Sequence, residues 1–235
     1  MHTPKTTALI PAYNEEPRLA AVLEIVTASP RVDEVIVIDD GSRDKTSRVA
    51  ASFPVKLVRL KENCGKGAAL QAGLEKAADA GRFLFLDADL LNLRHEHINQ
   101  LLDPLTGDQP AAMTVGTFRR GKKASVNLAQ HYFSILNGQR ALHRNFVDIL
   151  PDLRWSRFGV EILLSRYAQL AGQPVQHPEL QGISHVTKEE KFGFTAGFLY
   201  RLRMYQECLY SLLYHQKMIR DFPGKVPVEI LQKIK

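Results

Sequence analysis

The sequence predicts an α/β fold built on a mostly parallel central sheet flanked by helices, and three observations predict it. Apolar runs of strand length, at residues 7–10, 35–38, 55–60 and 83–86, alternate with stretches of helical periodicity. Each intervening helix is long enough to carry the chain back across a sheet face, which is how parallel strands are joined. Three of the four apolar runs stop abruptly in polar, acid-bearing sequence, and in open parallel sheets ligands sit beyond the carboxyl ends of the strands.

The first strand, 7–10, runs into Pro11-Ala12-Tyr13-Asn14-Glu15-Glu16, after which helical spacing extends over 16–28. Val35-Ile36-Val37-Ile38 forms the second strand and is closed by Asp39-Asp40-Gly41-Ser42. A helix over 45–52 leads to the strand at 55–60, then to a loop, 61–67, that holds Gly65-Lys66-Gly67. Periodicity predicts a helix over 68–80, and Phe83-Leu84-Phe85-Leu86 returns the chain to the sheet and ends in Asp87-Ala88-Asp89. In an extended chain, side chains two apart point the same way, so both carboxylates can meet one cation or polar ligand. An aspartate after a strand also serves as a turn or cap residue; three acidic ends on one sheet edge weigh toward a site. The second half is less regular. It offers a strand over 114–118, the basic loop Arg119-Arg120-Gly121-Lys122-Lys123, a helix over 126–136 and the turn Asn137-Gly138-Gln139-Arg140. A helix over 159–171, an extended stretch over 175–180 and a long amphipathic helix over 198–219 follow. With no Ser/Gly linker, repeat or low-complexity tract, residues 1–235 form a single domain.

Composition narrows the class. At 235 residues with 45% hydrophobic content, the chain can bury a substantial core. Two cysteines make neither a disulfide framework nor a metal cluster, and with no signal peptide they predict a cytoplasmic protein. No apolar run approaches the roughly 18 residues of a membrane span, so the chain is expected to be soluble. The net charge of +6 favours an anionic partner. No helix-turn-helix, zinc-finger or RNA-binding aromatic pattern accompanies it, so nucleic acid is not expected and phosphate on a small molecule or lipid is.

Two common nucleotide motifs are absent. A dinucleotide-binding turn needs Gly-x-Gly-x-x-Gly after the first strand, and Gly65-Lys66-Gly67 lacks the upstream glycine and following Ser or Thr of a P-loop. The residues present build a different site. Tyr13 offers an aromatic face and a hydroxyl, Glu15 and Asp40 offer acceptors for a ribose or base N–H, and glycine-flanked Lys66 can approach phosphate. Asp87 and Asp89 can hold Mn²⁺ or Mg²⁺ bridging a diphosphate, offsetting charge on a departing group.

Together, Pro11-Ala12-Tyr13-Asn14-Glu15-Glu16, Val37-Ile38-Asp39-Asp40-Gly41-Ser42-Arg43-Asp44, Asn63-Cys64-Gly65-Lys66-Gly67 and Leu86-Asp87-Ala88-Asp89 resemble the family 2 glycosyltransferases of GT-A fold. The resemblance is dense over 5–105 and implies a nucleotide-sugar donor, a UDP-sugar or GDP-mannose, with Mn²⁺ or Mg²⁺ at Asp-Ala-Asp. Pro11, Ala12, Tyr13, Asn14, Glu15, Asp40, Lys66, Asp87 and Ala88 then fall on the donor side. Residues 106–197 become the acceptor-binding half, and 198–235 a C-terminal helix and tail. In that half Asn137-Gly138-Gln139-Arg140-Ala141-Leu142, Phe158-Gly159-Val160-Glu161 and Gly182-Ile183-Ser184-His185 resemble glucosyl-3-phosphoglycerate and mannosylglycerate synthases, and more loosely polyprenyl-phosphate glycosyltransferases. By that likeness Asp89 and His185 are metal ligands, Gly138, Gln139 and Arg140 grip an anionic or lipid-phosphate acceptor, and Glu161 faces the acceptor hydroxyl.

Structural roles compete for several of these. Glu161 also suits a first-turn helix carboxylate, Arg140 a surface ion pair, and His185 an ordinary hydrogen-bonded histidine. A Glu161 opposite the leaving diphosphate implies inversion, and one placed elsewhere allows retention by front-side attack. On the last helix Phe198, Leu199, Leu202, Tyr205, Leu209, Leu212 and Leu213 mark an apolar face beside Arg201, Arg203, Lys217 and Arg220. That face suits core packing, peripheral contact with an anionic membrane, or a homodimer. A nucleotidyltransferase would carry a glycine-rich, arginine-bearing loop after the first strand, which is absent. A nucleotide-sugar-binding regulatory protein without turnover remains the reading from another class.

Overall fold

The computed structural model describes residues 4–117, 137–185 and 194–234. Phe118, the basic loop 119–123 and the helix expected over 126–136 lie outside the described residues. In chain order the regular elements are β1 (Thr6–Ala12), α1 (Leu19–Thr27), β2 (Glu34–Asp39), α2 (Thr46–Ala50), β3 (Lys56–Arg59), α3 (Lys66–Lys76) and β4 (Arg82–Phe85). Then come β5 (Leu90–Leu91), α4 (His95–Leu102), β6 (Met113–Val115), β7 (Arg140–His143), α5 (Arg144–Val147) and α6 (Val160–Leu170). The chain closes with β8 (Val175–Gln176), β9 (Ser184–His185), α7 (Phe194–Asp221) and α8 (Val228–Leu231).

Seven strands form one sheet in the order β3-β2-β1-β4-β7-β6-β8. β1 pairs in parallel with β2 and β4, β2 with β3, and β6 with β8, whereas β7 is antiparallel to both neighbours. One strand therefore runs against the rest, and the sheet is mostly parallel as predicted. Strand alternation splits the core in two. Leu9, Ile36, Ile38, Phe83 and Phe85 pack with Ala69 and Leu70 of α3 and Leu163, Leu164 and Tyr167 of α6. Ala8, Ile10, Val35, Val37, Leu84 and Leu86 pack with Leu19, Val22 and Leu23 of α1 and Ile98, Leu101 and Leu102 of α4. Strands buried on both faces are nearly continuous apolar runs, which is why β1, β2 and β4 stood out in the sequence.

Four elements differ from expectation. Residues 137–140 are not only a turn, because Arg140 opens β7 and pairs with Phe85 of β4 and Val115 of β6. The extended stretch over 175–180 contracts to two strand residues plus a bridge between Thr117 and Glu179. α4 was not foreseen: its apolar residues are few, although Ile98, Leu101 and Leu102 sit at helical spacing and are buried. The C-terminal helix is longer than predicted at both ends. Among the described residues, no helix is long and apolar enough to cross a membrane.

Candidate active site

Strand order reverses direction at β1, with β2 to one side and β4 to the other, and such a switch point opens a crevice at the carboxyl edge. The loops after β1 and β2 are stitched together there. Asn14 N–H donates to Ser42 Oγ (2.9 Å), Arg43 N–H to Asn14 Oδ1 (2.9 Å), Glu15 N–H to Thr46 Oγ1 (2.8 Å) and Glu16 N–H to Asp44 Oδ2 (3.1 Å). Asn14 adopts φ 55°, which asparagine tolerates better than most side chains. The structure thus uses the Asn14 side chain to hold a backbone, where the sequence suggested a nucleotide contact. Buried Asp39 is a second structural acid: it accepts from Ser42 N–H (2.8 Å) and from the Ser47 hydroxyl.

Tyr13 lines a cleft of about 260 Å³ with Gly41, Ser42, Arg43, Arg59 and Lys61. Gly41 has φ +72°, and a Cβ there would lie 2.5 Å from the Glu62 carbonyl carbon, so only glycine lets the two loops pass this closely. Asp40, which precedes the cleft's Gly41 in the chain, is buried. Its two oxygens accept the backbone N–H groups of Cys64 and Gly65, both at 2.8 Å, and fix the loop that delivers Lys66. Burial pushes the Asp40 carboxyl above its ordinary pKa, with the two amides and the Arg157 guanidinium opposing that rise. Glu15 is buried next to Arg18 Nη1 at 3.7 Å. A larger hollow of about 390 Å³, lined by Lys5, Glu34, Pro54 and Lys56, sits at the amino edge of the same strands. Its two acids are already engaged: Glu34 pairs with Lys5 and Lys56, and Asp33 accepts the Thr6 backbone N–H at 2.7 Å.

The centre of the crevice is an ion cluster. Lys66, the first residue of α3, places Nζ 2.5 Å from Asp87 Oδ1 and 2.6 Å from Glu161 Oε1, with all three side chains at most 20% exposed. Burial alone would lower the lysine pKa; the two carboxylates reverse this and hold it above the ordinary lysine value. Gln139, fully buried, donates Nε2 to Asp87 Oδ2 at 2.8 Å. Because β7 runs antiparallel, its beginning rather than its end lies at the carboxyl edge, and this brings Gly138 and Gln139 to Asp87. A Cβ on Gly138 would stand 2.4 Å from Lys66 Nζ and 2.5 and 2.6 Å from the Asp87 oxygens. The absent side chain is the space the cluster occupies.

Arg140 takes a different position from the one its motif suggested. It is 1% exposed, donating Nε to the Asn137 carbonyl (2.9 Å) and Nη1 to Ser165 Oγ (3.0 Å). Burial lowers its pKa to about 10, against the pull of Glu161 and Asp87. It supplies positive charge from beneath the floor, because pairing in β7 draws it inward. Asp89 is half-buried just beyond β4, and Leu90 after it pairs with His185 across the β5–β9 ladder. That ladder sets the backbone of His185 next to the Asp89 segment; the His185 side chain lies outside the described residues. Among the described residues, no three His, Cys, Asp or Glu side chains form a metal-holding group. Asp89 offers a carboxylate oxygen of the kind Mg²⁺ and Mn²⁺ take, and such ions commonly bind through one or two carboxylates and complete their shell with substrate phosphate and water.

Sequence reasoning missed Arg157, which precedes the Phe158-Gly159-Val160-Glu161 motif. It adopts φ 46°, ψ −118° inside the 3-10 segment Arg154–Gly159. No glycine marks that conformation, so the sequence carried no signal for it.

The chain is similar to known proteins over most of its length. The pattern of glycosyl transferase family 2 matches residues 7–161. A 4,4'-diaponeurosporenoate glycosyltransferase of Staphylococcus aureus strain USA300 is 28% identical over 88% of this chain, and that of the bovine strain RF122 / ET3-1 is 34% identical. This chain spans 58% of the length of either relative. Among solved structures, glucosyl-3-phosphoglycerate synthase from Mycobacterium tuberculosis superimposes with a TM-score of 0.73 at 24% identity in complex with Mn²⁺, UDP-glucose and phosphoglyceric acid. That match covers 90% of this chain and 79% of the other. Its complex with phosphoglyceric acid alone gives 0.71 at 25% identity, covering 90% and 80%.

Proposed function

The chain belongs to glycosyl transferase family 2, and on that premise we propose that it transfers a hexose from a UDP-sugar, with GDP-mannose the alternative donor, to an acceptor bearing an anionic group. The observation that carries this reading is the buried Lys66 ammonium held between Asp87 and Glu161 at the carboxyl edge, next to the cleft lined by Tyr13. Tyr13 and Arg43 suit the base and ribose, and Lys66 sits where a diphosphate would need countercharge. Asp89 and His185 would hold the divalent cation, which supplies Lewis-acid stabilisation of the leaving diphosphate when bound. Glu161 is the carboxylate available to take the proton of an acceptor hydroxyl. Lys66, bonded to Glu161 Oε1, fixes that carboxylate in place and keeps its negative charge compensated in a buried setting. Gly138 and Gln139 position Asp87 from the acceptor side. The fold relative crystallised with UDP-glucose and phosphoglyceric acid supports both the donor class and an anionic acceptor.

The test is a panel of UDP- and GDP-sugars with Mn²⁺, reading released nucleotide with and without phosphoglycerate-like or polyprenyl-phosphate acceptors. We expect acceptor-dependent release from one donor, lost on chelation and reduced on the order of 10³-fold by Asp89→Ala. Unchanged turnover in that variant would remove Asp89 from the metal site.

For a lipid-phosphate acceptor, the C-terminal helix supports a docking role. Leu202, Tyr205, Leu209, Tyr210, Leu213 and Tyr214 of α7 are 46–64% exposed, and Lys217, Arg220 and Lys225 follow. An apolar and aromatic strip edged by cations suits an anionic bilayer surface. Cosedimentation with anionic but not neutral vesicles at low salt is the expected result. Equal pelleting with both kinds, or with neither, would sink the membrane contact, and a concentration-dependent dimer would assign the face to a second copy.

A further inference from the structure

The inner face of α7 reaches the active site through one strained residue. Arg157 holds φ 46°, ψ −118°, a conformation natural to glycine and strained for other residues. Such a conformation persists only when its surroundings enforce it. Glu207 of α7 stands against it: Oε1 accepts from Arg157 Nε at 3.1 Å and Oε2 from the Phe158 backbone N–H at 3.3 Å. The carboxylate thus grips both the side chain of the strained residue and the next peptide. Cys208 and Ser211 on the same helix face are buried, and Cys208 Sγ donates to the Phe158 carbonyl at 3.7 Å. A Cβ on Gly159 would lie 1.8 Å from Ser211 Oγ, so helix and turn are in direct contact.

The other side of the turn rests on the start of α3. A Cβ on Gly65 would come within 3.0–3.2 Å of Arg157 Cβ, Cα and Cγ, and one on Gly67 within 2.3 Å of the Leu153 carbonyl and Ser156 Oγ. The glycines flanking Lys66 are therefore the seats of this turn. Arg157 Nη1 also donates to the Cys64 carbonyl at 3.5 Å, in the loop that Asp40 anchors. Four residues beyond Arg157, Glu161 meets Lys66 Nζ. The register between Lys66 and Glu161 is consequently set where this turn lies on α3.

We propose that Glu207 is a positioning residue of the site: by locking Arg157 in its left-handed conformation, it fixes the 154–159 turn against Gly65 and Gly67, and so aligns Lys66 with Glu161. Glu207 touches no reacting atom in this scheme. Its effect passes through the geometry of the ion cluster, where a displacement of about 1 Å can cost on the order of 10²-fold in rate.

The experiment compares wild type, Glu207→Ala, Arg157→Gly and the double variant by amide hydrogen exchange of the 62–69 segment and by transfer kinetics. Glu207→Ala should speed exchange in 62–69 by roughly tenfold, with β1 unaffected, as local opening without global loss. It should lower kcat by roughly 10–100-fold with a smaller change in donor KM. Glycine adopts the turn without a clamp, so adding Arg157→Gly to Glu207→Ala should bring both readouts back to within about threefold of Arg157→Gly alone, a non-additivity expected of coupled residues. Should the alanine variant fail to fold, the isosteric Glu207→Gln is expected to raise 62–69 exchange in the same sense. Unchanged exchange after loss of Glu207, or a double variant as impaired as Glu207→Ala, overturns the proposal. The kinetic arm rests on the transfer reaction proposed above. If wild type turns over no nucleotide sugar, that failure counts against the reaction, and the exchange comparison decides the role of Glu207.

Discussion

Lys66→Ala is expected to abolish transfer and to lower stability by about 3 kcal/mol, the low end of the range for removing one partner of a buried ion cluster. The reason is electrostatic rather than steric. Without the ammonium, Asp87 and Glu161 stand close together as two carboxylates whose shared neutralising charge is gone, with side chains 20% and 9% exposed. For a chain of this size, 3 kcal/mol corresponds to a fall in melting temperature on the order of 10 °C, readable by circular dichroism. Combining Lys66→Met with Asp87→Asn and Glu161→Gln removes the stranded charges and should recover much of the melting temperature while transfer stays absent. A Lys66→Ala protein that melts with wild type would mean that water already screens the cluster. The pH dependence has a definite sign. The folded-state pKa of Lys66 is raised, so its contribution is complete below the ordinary lysine value and is lost only as pH rises through the higher folded one. Neutral and mildly alkaline buffers should therefore not weaken it.

Gly138→Ala should separate activity from stability in the opposite way. The new methyl would meet Lys66 Nζ and both Asp87 oxygens at 2.4–2.6 Å, and these are ends of side chains that can swing aside. The fold should lose about 1 kcal/mol, the lower end for overpacking. The cluster, pushed out of register, should lose on the order of 10² in kcat/KM. Paired melting curves and steady-state kinetics check it. Activity within threefold of wild type would show that the Lys66–Asp87 contact is not needed in its observed form.

These two residues also show what a sequence can disclose. Lys66 was visible because two glycines flank it, and glycines around a cation announce a close backbone approach. Its partner was not visible: Glu161 lies 95 positions away, and no local pattern encodes a contact made by folding a second half onto the first. The strand ends at Asp39, Asp40 and Asp87 were legible because a strand buried on both faces has no polar residue until it leaves the core. Which acids serve the scaffold was hidden, since Asp39 and Asp40 have the same neighbours in sequence and differ only in which backbone amides and hydroxyls surround them. Arg140 followed an Asn-Gly turn and suggested surface, yet antiparallel pairing in β7 carried it under the floor. The two-residue β5–β9 ladder that sets His185 beside the Asp89 segment is shorter than any periodicity can reveal. Arg157 was silent because its conformation belongs to glycine and its sequence does not.

The stitching of the first two loops bears on how the cleft lined by Tyr13 can be altered. Side chains of Asn14 and Glu16 hold backbone amides of Arg43 and Lys45, while those of Ser42, Asp44 and Thr46 hold the backbone of 14–16. Neither loop retains its shape without the other's side chains. The walls of the Tyr13 cleft thus behave as one cassette: exchanging 11–16 alone between related enzymes would deliver the new side chains on a mismatched backbone, whereas moving 11–16 and 39–46 together with the 59–65 stretch that completes the cleft keeps its shape.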